Sequence, residues 1–501
     1  MTDTAPPAPV PQPAAAQPPD AALAAAVLAR HPEVAQVAVV PGGTDARDGT
    51  APTPATALVV PRLDRDRARQ ELRLLWNAVA DSTAAGAPAL GTDFDTSGWT
   101  SSYTGAPIPE PEMREWVAHS VALLREAEPA TVLELGCGTG LLLLRIAPDT
   151  RRYVALDLSR PILDGLAVAV GRAGLSQVEL HQGEATGAER FAGAGFDLVV
   201  CNSVVHYFPD EEYLRTTVAA AVRAAGPGGR AVVGDVRDHS LAKAFHASVV
   251  LAQAEGGATG DALRQAWRRR LREDPQMSVA PQWFTALAAG DGEVSCAEVR
   301  PRRGAARNEM NGFRFDAVLH REARLLDIGD WREWSAASLT VDAVDRLLAG
   351  RPRALGLLGI PNARTAGAAA VATALAGPDI PSATELRRLS RSHDGAGVDP
   401  EALFALAARR GYRCHLSRAR GAADGSFDAA FLPEGDGVRG LLPRFPRSSG
   451  GPAGAQVTEP VVQRVLGLAR KRLVPRLRAL AEAELAPAQR PERYEVVPEL
   501  P

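Results

Sequence analysis

Short apolar runs alternate with amphipathic stretches through the middle of the chain. From Ala130 onward, apolar segments such as YVALDLS and FDLVVCNSV are separated by stretches such as ILDGLAVAVGRAG, in which apolar residues recur at helical spacing. Strands that alternate with helices, each entered through a polar or glycine-rich turn, are typical of a doubly wound, mainly parallel sheet. We therefore expect an α/β domain over residues 65–325, closed by the strand FRFDAVLHR.

Two helices are predicted ahead of this sheet. Residues 66–81 show the apolar spacing of an amphipathic helix. A second helix is predicted over 111–127, where proline stands in the first turn and acidic residues lie near the positive end of the helix. Turn-forming residues dominate the sequence between them.

The alternation of apolar runs and amphipathic stretches is absent from the residues before the α/β domain. Residues 1–20 are rich in proline and alanine and lack the basic start and apolar core of a signal peptide, which indicates a disordered leader. Residues 21–62 predict a helix and two strands, a fragment too short to bury a core of its own. This fragment needs a partner elsewhere in the chain.

The pattern changes again after the domain. Residues 326–443 predict an accessory α/β segment with three helices, and residues 444–456 are a glycine-, serine- and proline-rich linker. Residues 457–501 predict a long amphipathic helix and a terminal strand. We expect 457–501 to pair with 21–62 as one small split α+β subdomain. The three helices of the accessory segment are expected near 341–349, 365–376 and 400–410.

Composition narrows the class of protein. The net charge of −3, with two lysines among 56 basic residues, does not favour a nucleic-acid binder. Four scattered cysteines without a C-x-x-C pair argue against a disulfide framework or a zinc site, so we expect reduced thiols and no bound metal. No apolar run reaches about 18 residues, so no membrane span is expected. A cytoplasmic enzyme fits these features.

The segment VLELGCGTG (132–140) is the most informative about a binding site. It passes from a strand into a turn containing Gly136, Gly138 and Gly140, and then into an apolar helix. Glycines allow the backbone to turn sharply and approach a ligand closely, and the helix that follows offers free N–H groups. A nucleotide-type cofactor is therefore expected at this turn.

Acidic residues near the turn support the expectation of a nucleotide-type cofactor. Glu134 stands two residues before the first glycine, and Asp157 ends the next strand, where a carboxylate is placed to bind ribose hydroxyls. The third strand ends in Gly183, Glu184 and Ala185, which are expected to meet an adenine edge. A nicotinamide dinucleotide is the rival cofactor, but its fingerprint is G-x-G-x-x-G and the third glycine here falls one residue early.

At these residues the chain resembles the methyltransferase domains embedded in nonribosomal peptide synthetases. The resemblance spans most of residues 65–325. It is carried by SGWTSSYTGAPIPEPEMREW (97–116), LGCGTGLLL (135–143), FDLVVCNSVVHYFPD (196–210), GGRAVVGDVR (228–237) and NEMNGFRFDAVLH (308–320).

The resemblance extends to the flanking segments. In that family the methyltransferase interrupts the small C-terminal subdomain of an adenylation domain, and ARHPEVAQVAVVPG (29–42) and LVPRLRALAEAELAP (473–487) look like the two parts of such a subdomain. The adenylation core with its nucleotide-binding loops is absent, and Lys471 lies within a predicted helix rather than at the family's adenylating position. We therefore expect that the chain does not activate an amino acid itself.

The resemblance implies S-adenosylmethionine as cofactor and a class I methyltransferase fold. The implied activity is N-methylation of an aminoacyl or peptidyl unit on a carrier protein, with a synthetase as possible partner. Besides the glycines and acids above, Tyr103, Leu158, Asn202 and Ser203 are expected at the cofactor. Asn308 and Glu309 are expected at the acceptor.

Four further residues are candidates for catalysis, together with Asn202. His206 and Tyr207 follow the fourth strand, at the carboxyl end of the sheet where such folds bind ligands. His206 is the candidate general base, although a packed histidine is an equal alternative and the family also has glutamine there. Asp235 and Arg237 end the next strand and are expected either to hold the acceptor or to form a structural ion pair.

Two other functions stay open at this point. One is a methyltransferase for the oxygen or nitrogen of a diffusible small molecule, which a histidine base would serve. The other is a non-catalytic scaffold that docks on a synthetase. The basic run at 268–272 is expected to be a solvated helix face, or else a surface for an acidic carrier protein.

Overall fold

The structure is a computed structural model. It describes residues 19–42, 54–62, 64–85, 94–289, 292–335, 339–393, 396–435, 440–446 and 456–500. Residues 1–18 of the expected leader and 447–455 of the expected linker lie outside the described residues. Residues 19 and 20 begin the first helix.

The described strands are the following: β1 Val34–Val40, β2 Thr56–Pro61, β3 Thr131–Leu135, β4 Arg152–Asp157, β5 Val178–Gln182, β6 Phe196–Asn202, β7 Ala225–Arg237, β8 Cys296–Pro301, β9 Arg314–His320, β10 Arg324–Asp327, β11 Trp331–Glu333, β12 Leu355–Ile360, β13 Tyr412–Ser417, β14 Phe427–Pro433, β15 Leu441–Arg444 and β16 Arg493–Val496.

The described α-helices are the following: α1 Pro19–Ala29, α2 Arg65–Ala85, α3 Glu110–Arg125, α4 Leu143–Ile146, α5 Arg160–Arg172, α6 Glu211–Ala224, α7 Ala242–Gln253, α8 Gly260–Glu273, α9 Pro281–Leu287, α10 Glu309–Phe313, α11 Val341–Ala349, α12 Ala366–Ala376, α13 Ala383–His393, α14 Pro400–Arg410 and α15 Pro460–Glu484. Short 3₁₀ turns follow several strands.

The chain divides into two compact units, and the smaller one joins both ends of the sequence. It comprises the residues up to Arg69 and those from Val461 onward. Its three-stranded sheet has the order β1-β2-β16, with β1 antiparallel and β16 parallel to the central β2. The fragment at 21–62 thus obtains its third strand from the far end of the chain, and α15 contributes fully buried leucines at Leu473 and Leu477.

The larger unit, Gln70–Pro460, is built around a seven-stranded sheet of order β5-β4-β3-β6-β7-β9-β8. The strands from β3 to β7 are parallel, whereas β9 runs antiparallel to both of its neighbours, β7 and the edge strand β8. Leu133 and Val200 in the central strands are fully buried because helices cover both faces. The predicted doubly wound, mainly parallel sheet is confirmed.

A second sheet follows within the same unit. Strands β11, β12, β14 and β13 lie side by side in that order, and Leu357, Leu403 and Phe431 are buried in its core. The three helices expected here are present as α11, α12 and α14. Helix α13 was not predicted, because its residues are mostly polar and arginine-rich and only Ala383 and Leu386 are buried.

Buried arginines join this segment to the large sheet. Arg418, 3 % exposed, donates to Asp238 just after β7 at 2.8 Å. Arg364 donates to the backbone oxygen of Arg302 at 2.8 Å. Because both contacts are charge-assisted and both arginine side chains are only 3 % exposed, they fix the accessory segment against the edge of the sheet where candidate site residues lie.

Candidate functional site

The glycine turn after β3 forms an open cradle. Gly136, Gly138 and Gly140 have φ angles of 78°, 51° and 84°, in the left-handed region that favours glycine. A Cβ atom on Gly136 would lie 2.4 Å from a methyl carbon of Val204, whereas a Cβ on Gly138 would meet nothing within 4 Å. The turn is therefore packed tightly at its start and faces open space at its middle.

Asp157, at the end of β4, lies beside this turn. Its carboxylate accepts from the N–H of Gly138 at 2.9 Å and from the N–H of Ser159 at 3.0 Å. Burial raises the pKa of Asp157, and these N–H groups work against that rise. The neighbouring Leu158 carbonyl accepts from Gln182 at 3.1 Å. The carboxylate is thus placed at the glycine turn, where the sequence predicted it.

Glu134 lies beneath the turn rather than on its open side. It is 3 % exposed and accepts from the hydroxyl of Tyr153 at 2.8 Å. Burial raises the pKa of Glu134 to about 8, against the effect of that hydroxyl. Burial therefore favours the protonated form of Glu134.

The end of β5 adjoins these groups. The N–H of Gly183 donates to the backbone oxygen of Asp157 at 2.9 Å, and Ala185 is buried at the start of a 3₁₀ turn. Glu184 accepts from Tyr213 at 3.3 Å and pairs with Arg73 of α2 at 2.7 Å. The contact with α2 was not predicted, because an exposed arginine on an amphipathic helix gives no sequence signal.

The residues after β6 carry unpartnered polar atoms. The Nδ2 atom of Asn202 is buried and has no hydrogen-bond partner among the described residues. Ser203 adopts a φ of 60°, and its hydroxyl donates to Asp235 at 2.8 Å. A left-handed non-glycine residue held by a buried carboxylate is a strained arrangement of the kind found at functional sites.

His206 and Tyr207 form a stacked pair in a 3₁₀ turn. Their ring centroids are 4.1 Å apart, and His206 is 6 % exposed whereas Tyr207 is 40 % exposed. Burial, reinforced by Arg314, lowers the pKa of His206 to about 3. Its Nδ1 atom is buried without a partner in the described part of the chain. His206 is therefore a neutral imidazole at pH 7 that keeps one ring nitrogen free.

Asp235 is the centre of a buried ionic cluster. It is 1 % exposed and receives bonds from Trp116 at 3.1 Å, from Arg314 at 2.5 Å and from Ser203. Burial opposes its ionised form, but Arg314 and Arg302 outweigh burial and hold the pKa of Asp235 below its usual range. Asp235 is thus an ionised carboxylate whose oxygens are already engaged.

Arg237 does not pair with Asp235, although both end β7. Its guanidinium donates to Asp274 at 2.7 and 3.0 Å. Burial opposes the ionised form of Asp274, but His246 and Arg237 hold its pKa well below the usual range. The two candidate residues of β7 therefore belong to separate ion pairs, which fits the structural alternative considered for them.

Asn308 and Glu309 hold the start of α10. The Asn308 side chain accepts from two N–H groups of that helix as its N-cap, and its Nδ2 donates to Glu112 at 2.7 Å. Glu309 accepts from the backbone N–H of Ser102 at 2.8 Å and lies 3.8 Å from Arg314. Glu309 thus links the 97–116 segment to the cluster around Asp235.

Tyr103 contacts α7 and not the glycine turn. Its hydroxyl lies 3.0 Å from that of Ser248, its ring packs edge-on to Phe245, and burial raises its pKa to about 12. A different residue of the preceding segment reaches the turn, because the carbonyl of Asp95 accepts from Thr139 at 2.9 Å. The segment before Tyr103 therefore contacts the turn through Asp95, whereas Tyr103 itself does not.

Two residues of α2 near Tyr207 were missed by sequence reasoning. The Trp76 ring lies 4.6 Å from that of Tyr207. Trp76 Nε1 and Asn77 Oδ1 are buried without partners among the described residues. Helix α2 was predicted, but the sequence does not indicate which residues of an isolated amphipathic helix face a site.

These residues fit S-adenosylmethionine. The open space at Gly138 admits a ligand against the backbone, Asp157 supplies a carboxylate for hydroxyls, and Asn202 offers an unused donor. In the described ranges, no group of three or more histidine, cysteine or carboxylate side chains is arranged to hold a metal ion. No described helix has the length and apolarity needed to cross a membrane.

Comparisons with known proteins agree with this geometry. Residues 132–229, which contain the glycine turn and the Asn202–Tyr207 segment, match a family model described as a methyltransferase domain. The chain is 36 % identical over 427 residues to chondramide synthase of Chondromyces crocatus, covering 81 % of this chain and 11 % of the synthase.

Two further relatives are also synthetases. A probable non-canonical nonribosomal peptide synthetase of Salinispora arenicola is 34 % identical over 390 residues, which are 77 % of this chain and 5 % of that protein. The beauvericin nonribosomal cyclodepsipeptide synthetase of Beauveria bassiana is 30 % identical over 452 residues, covering 82 % of this chain and 14 % of the synthetase. The chain thus spans a small part of the length of each relative.

Proposed function

We propose that this chain, an S-adenosylmethionine-dependent methyltransferase homologous to segments of nonribosomal peptide synthetases, methylates the α-amine of an aminoacyl or peptidyl unit. We further propose that this unit is held as a thioester on a carrier protein. The observation that carries the choice of amine is the neutral, unpartnered imidazole of His206. The names of the relatives support the tethered acceptor.

S-adenosylmethionine supplies a methyl group on a positively charged sulfur, which a lone pair attacks in line. The protein's task is to hold that lone pair in position, and positioning accounts for much of the acceleration in such reactions. An α-amine has a pKa of about 7.7–8.0, so an appreciable fraction is neutral at physiological pH. Such an amine needs to be oriented but does not need a strong base.

His206 suits that task. Its pKa of about 3 lies roughly 5 units below that of an α-ammonium group, so it is a poor proton acceptor but a good hydrogen-bond acceptor for an N–H of a neutral amine. An alcohol keeps its proton at neutral pH and needs a stronger base. The environment of His206 therefore favours an amine over an oxygen acceptor.

The unpartnered atoms in this region match an α-amino carbonyl group. The neutral imidazole of His206 has one ring nitrogen that accepts from an N–H group, and Asn202 Nδ2 is available to donate to a carbonyl oxygen. Buried atoms of this kind cost free energy until a ligand supplies their partners. Asp235 and Ser203 hold the backbone that presents Asn202 and His206.

Mass spectrometry with isotopically labelled S-adenosylmethionine tests the proposal. The acceptors are a panel of aminoacyl carrier proteins, the matching free amino acids and hydroxyl-bearing metabolites. We expect a gain of one methyl group on the amine of a carrier-bound residue. Label found only on free amino acids or on oxygen would refute the proposal and support the diffusible-substrate alternative.

A matched pair of variants tests the role of His206. In His206→Gln, the amide oxygen still accepts a hydrogen bond, so kcat/KM is expected to stay within about tenfold of the wild type. In His206→Leu, no acceptor remains, and kcat/KM is expected to fall at least about a hundredfold. Equal losses in both variants would mean that His206 acts as a base and would contradict the orienting role.

A further inference from the structure

A groove lies between helices α7 and α8, and its volume of about 530 Å³ is typical of a small-molecule site. Val250 of α7 and Leu263 and Ala266 of α8 form an apolar wall along it. On each helix the lining residues recur at intervals of three or four, so one face of each helix is turned toward the groove. The groove is therefore framed mainly by two regular helices.

One end of the groove carries unpaired charges of both signs. Arg269, Arg270 and Glu273 line this end, and none of them forms an ion pair or a hydrogen bond within the described part of the chain. Arg269 and Glu273 stand four positions apart on α8, so their Cβ atoms lie about 5–6 Å apart on one face of the helix. An arginine placed before a glutamate is the less favourable order for a pair within a helix. A cation and an anion therefore stand side by side, and both are available to a ligand.

Two buried nitrogen atoms of groove residues also lack partners among the described residues. One is Nε of Arg270, and the other is Nδ1 of His246, a residue that is 4 % exposed. The Nε2 atom of His246 lies 2.9 Å from the carboxylate of Asp274, so in the neutral ring Nε2 carries the proton and Nδ1 is an acceptor. Asp274 itself is occupied, because Arg237 pairs with it. Buried polar atoms without partners cost free energy until a ligand bonds to them.

An α-amino acid has the complementary set of groups. Its carboxylate matches a pair of guanidinium groups, which bind carboxylates through strong charge-assisted hydrogen bonds. Its ammonium group donates to a carboxylate and to a neutral imidazole nitrogen, which Glu273 and His246 supply here. A simple anion would leave Glu273 and His246 without partners, and a simple cation would leave both arginines unpaired. The charges of the groove therefore select a zwitterion, and its wall selects an apolar side chain.

We propose that this groove is a binding site for a free amino acid with an apolar side chain. Arg269 and Arg270 bind its carboxylate. Glu273 and His246 bind its ammonium group, and its side chain lies along the apolar wall. This ligand differs from the acceptor proposed above, because an acyl unit in a thioester has no free carboxylate. The inference therefore goes beyond the proposed function and does not depend on it.

Ligand-observed NMR titrations of the full chain test the site. S-adenosylhomocysteine is present at saturation, so that the amino-acid part of the cofactor site is filled. The probes are L-leucine, L-leucinamide without the carboxylate, N-acetyl-L-leucine without the ammonium group, and glycine without the side chain. Each of the last three is expected to bind at least about tenfold more weakly than L-leucine, since each lacks one charge-assisted or apolar contact. The proposal is overturned if L-leucine does not bind or if any of the other probes binds equally well.

Variants of α8 assign the charges. R269A/R270A is expected to lose at least about tenfold in affinity for L-leucine and to bind L-leucinamide unchanged, because only the carboxylate contact is removed. Glu273→Gln is expected to weaken L-leucine binding and to bind N-acetyl-L-leucine no more weakly than wild type does. The matched control R268A/R272A removes two exposed arginines that do not line the groove, and it is expected to behave as wild type. Equal losses in the two double variants would show that only net charge matters and would overturn the site.

A variant of the acceptor site shows where the amino acid binds. His206→Leu removes the ring that is proposed to orient the acceptor amine, and it is expected to bind L-leucine as wild type does. Loss of L-leucine binding in His206→Leu, with binding retained in R269A/R270A, would place the amino acid in the acceptor site and overturn the groove. These titrations record binding of a free amino acid and no methyl transfer. Their result therefore stands whichever acceptor is methylated, and a failure of the proposed function is distinguishable from a failure of the groove.

Discussion

The carboxyl edge of the seven-stranded sheet has two halves that differ in hydrogen bonding. Among the described residues, buried polar atoms lack partners in one half, whereas the buried carboxylate of Asp235 is paired in the other. After β3 and β6, Gly138 faces open space, and both Asn202 and His206 keep a buried polar atom without a partner in the described structure. At the end of β7 and the start of β9, Asp235 and Arg314 are paired with each other, and Asp235 also receives bonds from Trp116 and Ser203.

This difference distinguishes the half of the edge that binds ligands from the half that holds the site in shape. A buried polar group without a partner is costly, so proteins retain such groups where a ligand supplies the missing bond. A buried ion pair contributes little net stability, but removal of one member leaves a charge that is very costly. The first half is therefore the part that meets ligands, and the second half is the part that holds it in shape.

The largest expected effect comes from breaking the supporting half. Arg302 is 1 % exposed and pairs with Asp316 at 2.6 Å. Arg302→Met leaves that buried carboxylate without its cation, and we expect a loss of about 3–5 kcal/mol in the free energy of unfolding. Denaturant titration measures it. Arg152→Met, which breaks the exposed pair with Glu179, is the control and should cost no more than about 1 kcal/mol.

Changes in the ligand-facing half should weaken ligand binding more than they lower stability. Gly138→Ala forces alanine into a left-handed conformation, at a cost of about 1–2 kcal/mol in stability, and puts a methyl group into the open space of the turn. We expect at least a tenfold loss of cofactor affinity by calorimetry. Gly228→Ala carries the same strain, at a φ of 73° with nothing within 4 Å, but lies away from the turn. Reduced cofactor affinity in this control would contradict the comparison.

Acidic pH should act through His206. Its pKa is about 3 in the folded chain and about 6.5 in the unfolded chain, so the unfolded state binds the extra proton between these values. Stability should therefore fall as pH drops from 6.5, by up to about 1.4 kcal/mol per pH unit from this group, and should not change through it above 6.5. Denaturant titration of wild type and His206→Gln between pH 6.5 and 4 measures the difference in slope. His181, on β5, has a partly exposed side chain and provides the control. If His181→Gln changed the slope of stability against pH as much as His206→Gln does, the pH effect could not be assigned to His206.

The smallest expected effect on stability belongs to Asn202. Because its Nδ2 makes no bond in the described structure, Asn202→Ala should change the free energy of unfolding by less than about 1 kcal/mol. The same change should lower kcat/KM at least about tenfold, since the free donor is lost to the ligand. A large loss of stability with normal turnover would place Asn202 in the supporting half.

The sequence was sufficient for the sheet and for the glycine turn. Apolar strands alternating with amphipathic helices indicate a doubly wound sheet because both patterns are local. The positions of Gly136, Gly138 and Asp157 follow from the ends of strands, which the same patterns locate. These features need no knowledge of distant contacts.

The supporting half could not be predicted in this way. Arg302 and Trp116 lie far apart in sequence, and each is as compatible with a surface as with a buried cluster until the fold is known. Asp235 and Arg237 have the spacing of a pair on one strand, but each bonds to a residue that the chain brings from elsewhere. Tyr103 likewise contacts α7 through tertiary packing that no local pattern records.

Two paired strands of the small sheet, β2 and β16, are made at very different times during synthesis because they lie far apart in the sequence. Thr56 of β2 is paired with Arg493 of β16, 437 positions later. At roughly 5–20 residues per second, a ribosome needs about 20–90 s to make the intervening chain. During that time one edge of β2 lacks its neighbour and is open to pairing with other chains. The strand that completes this small sheet is thus translated long after the strand with which it pairs.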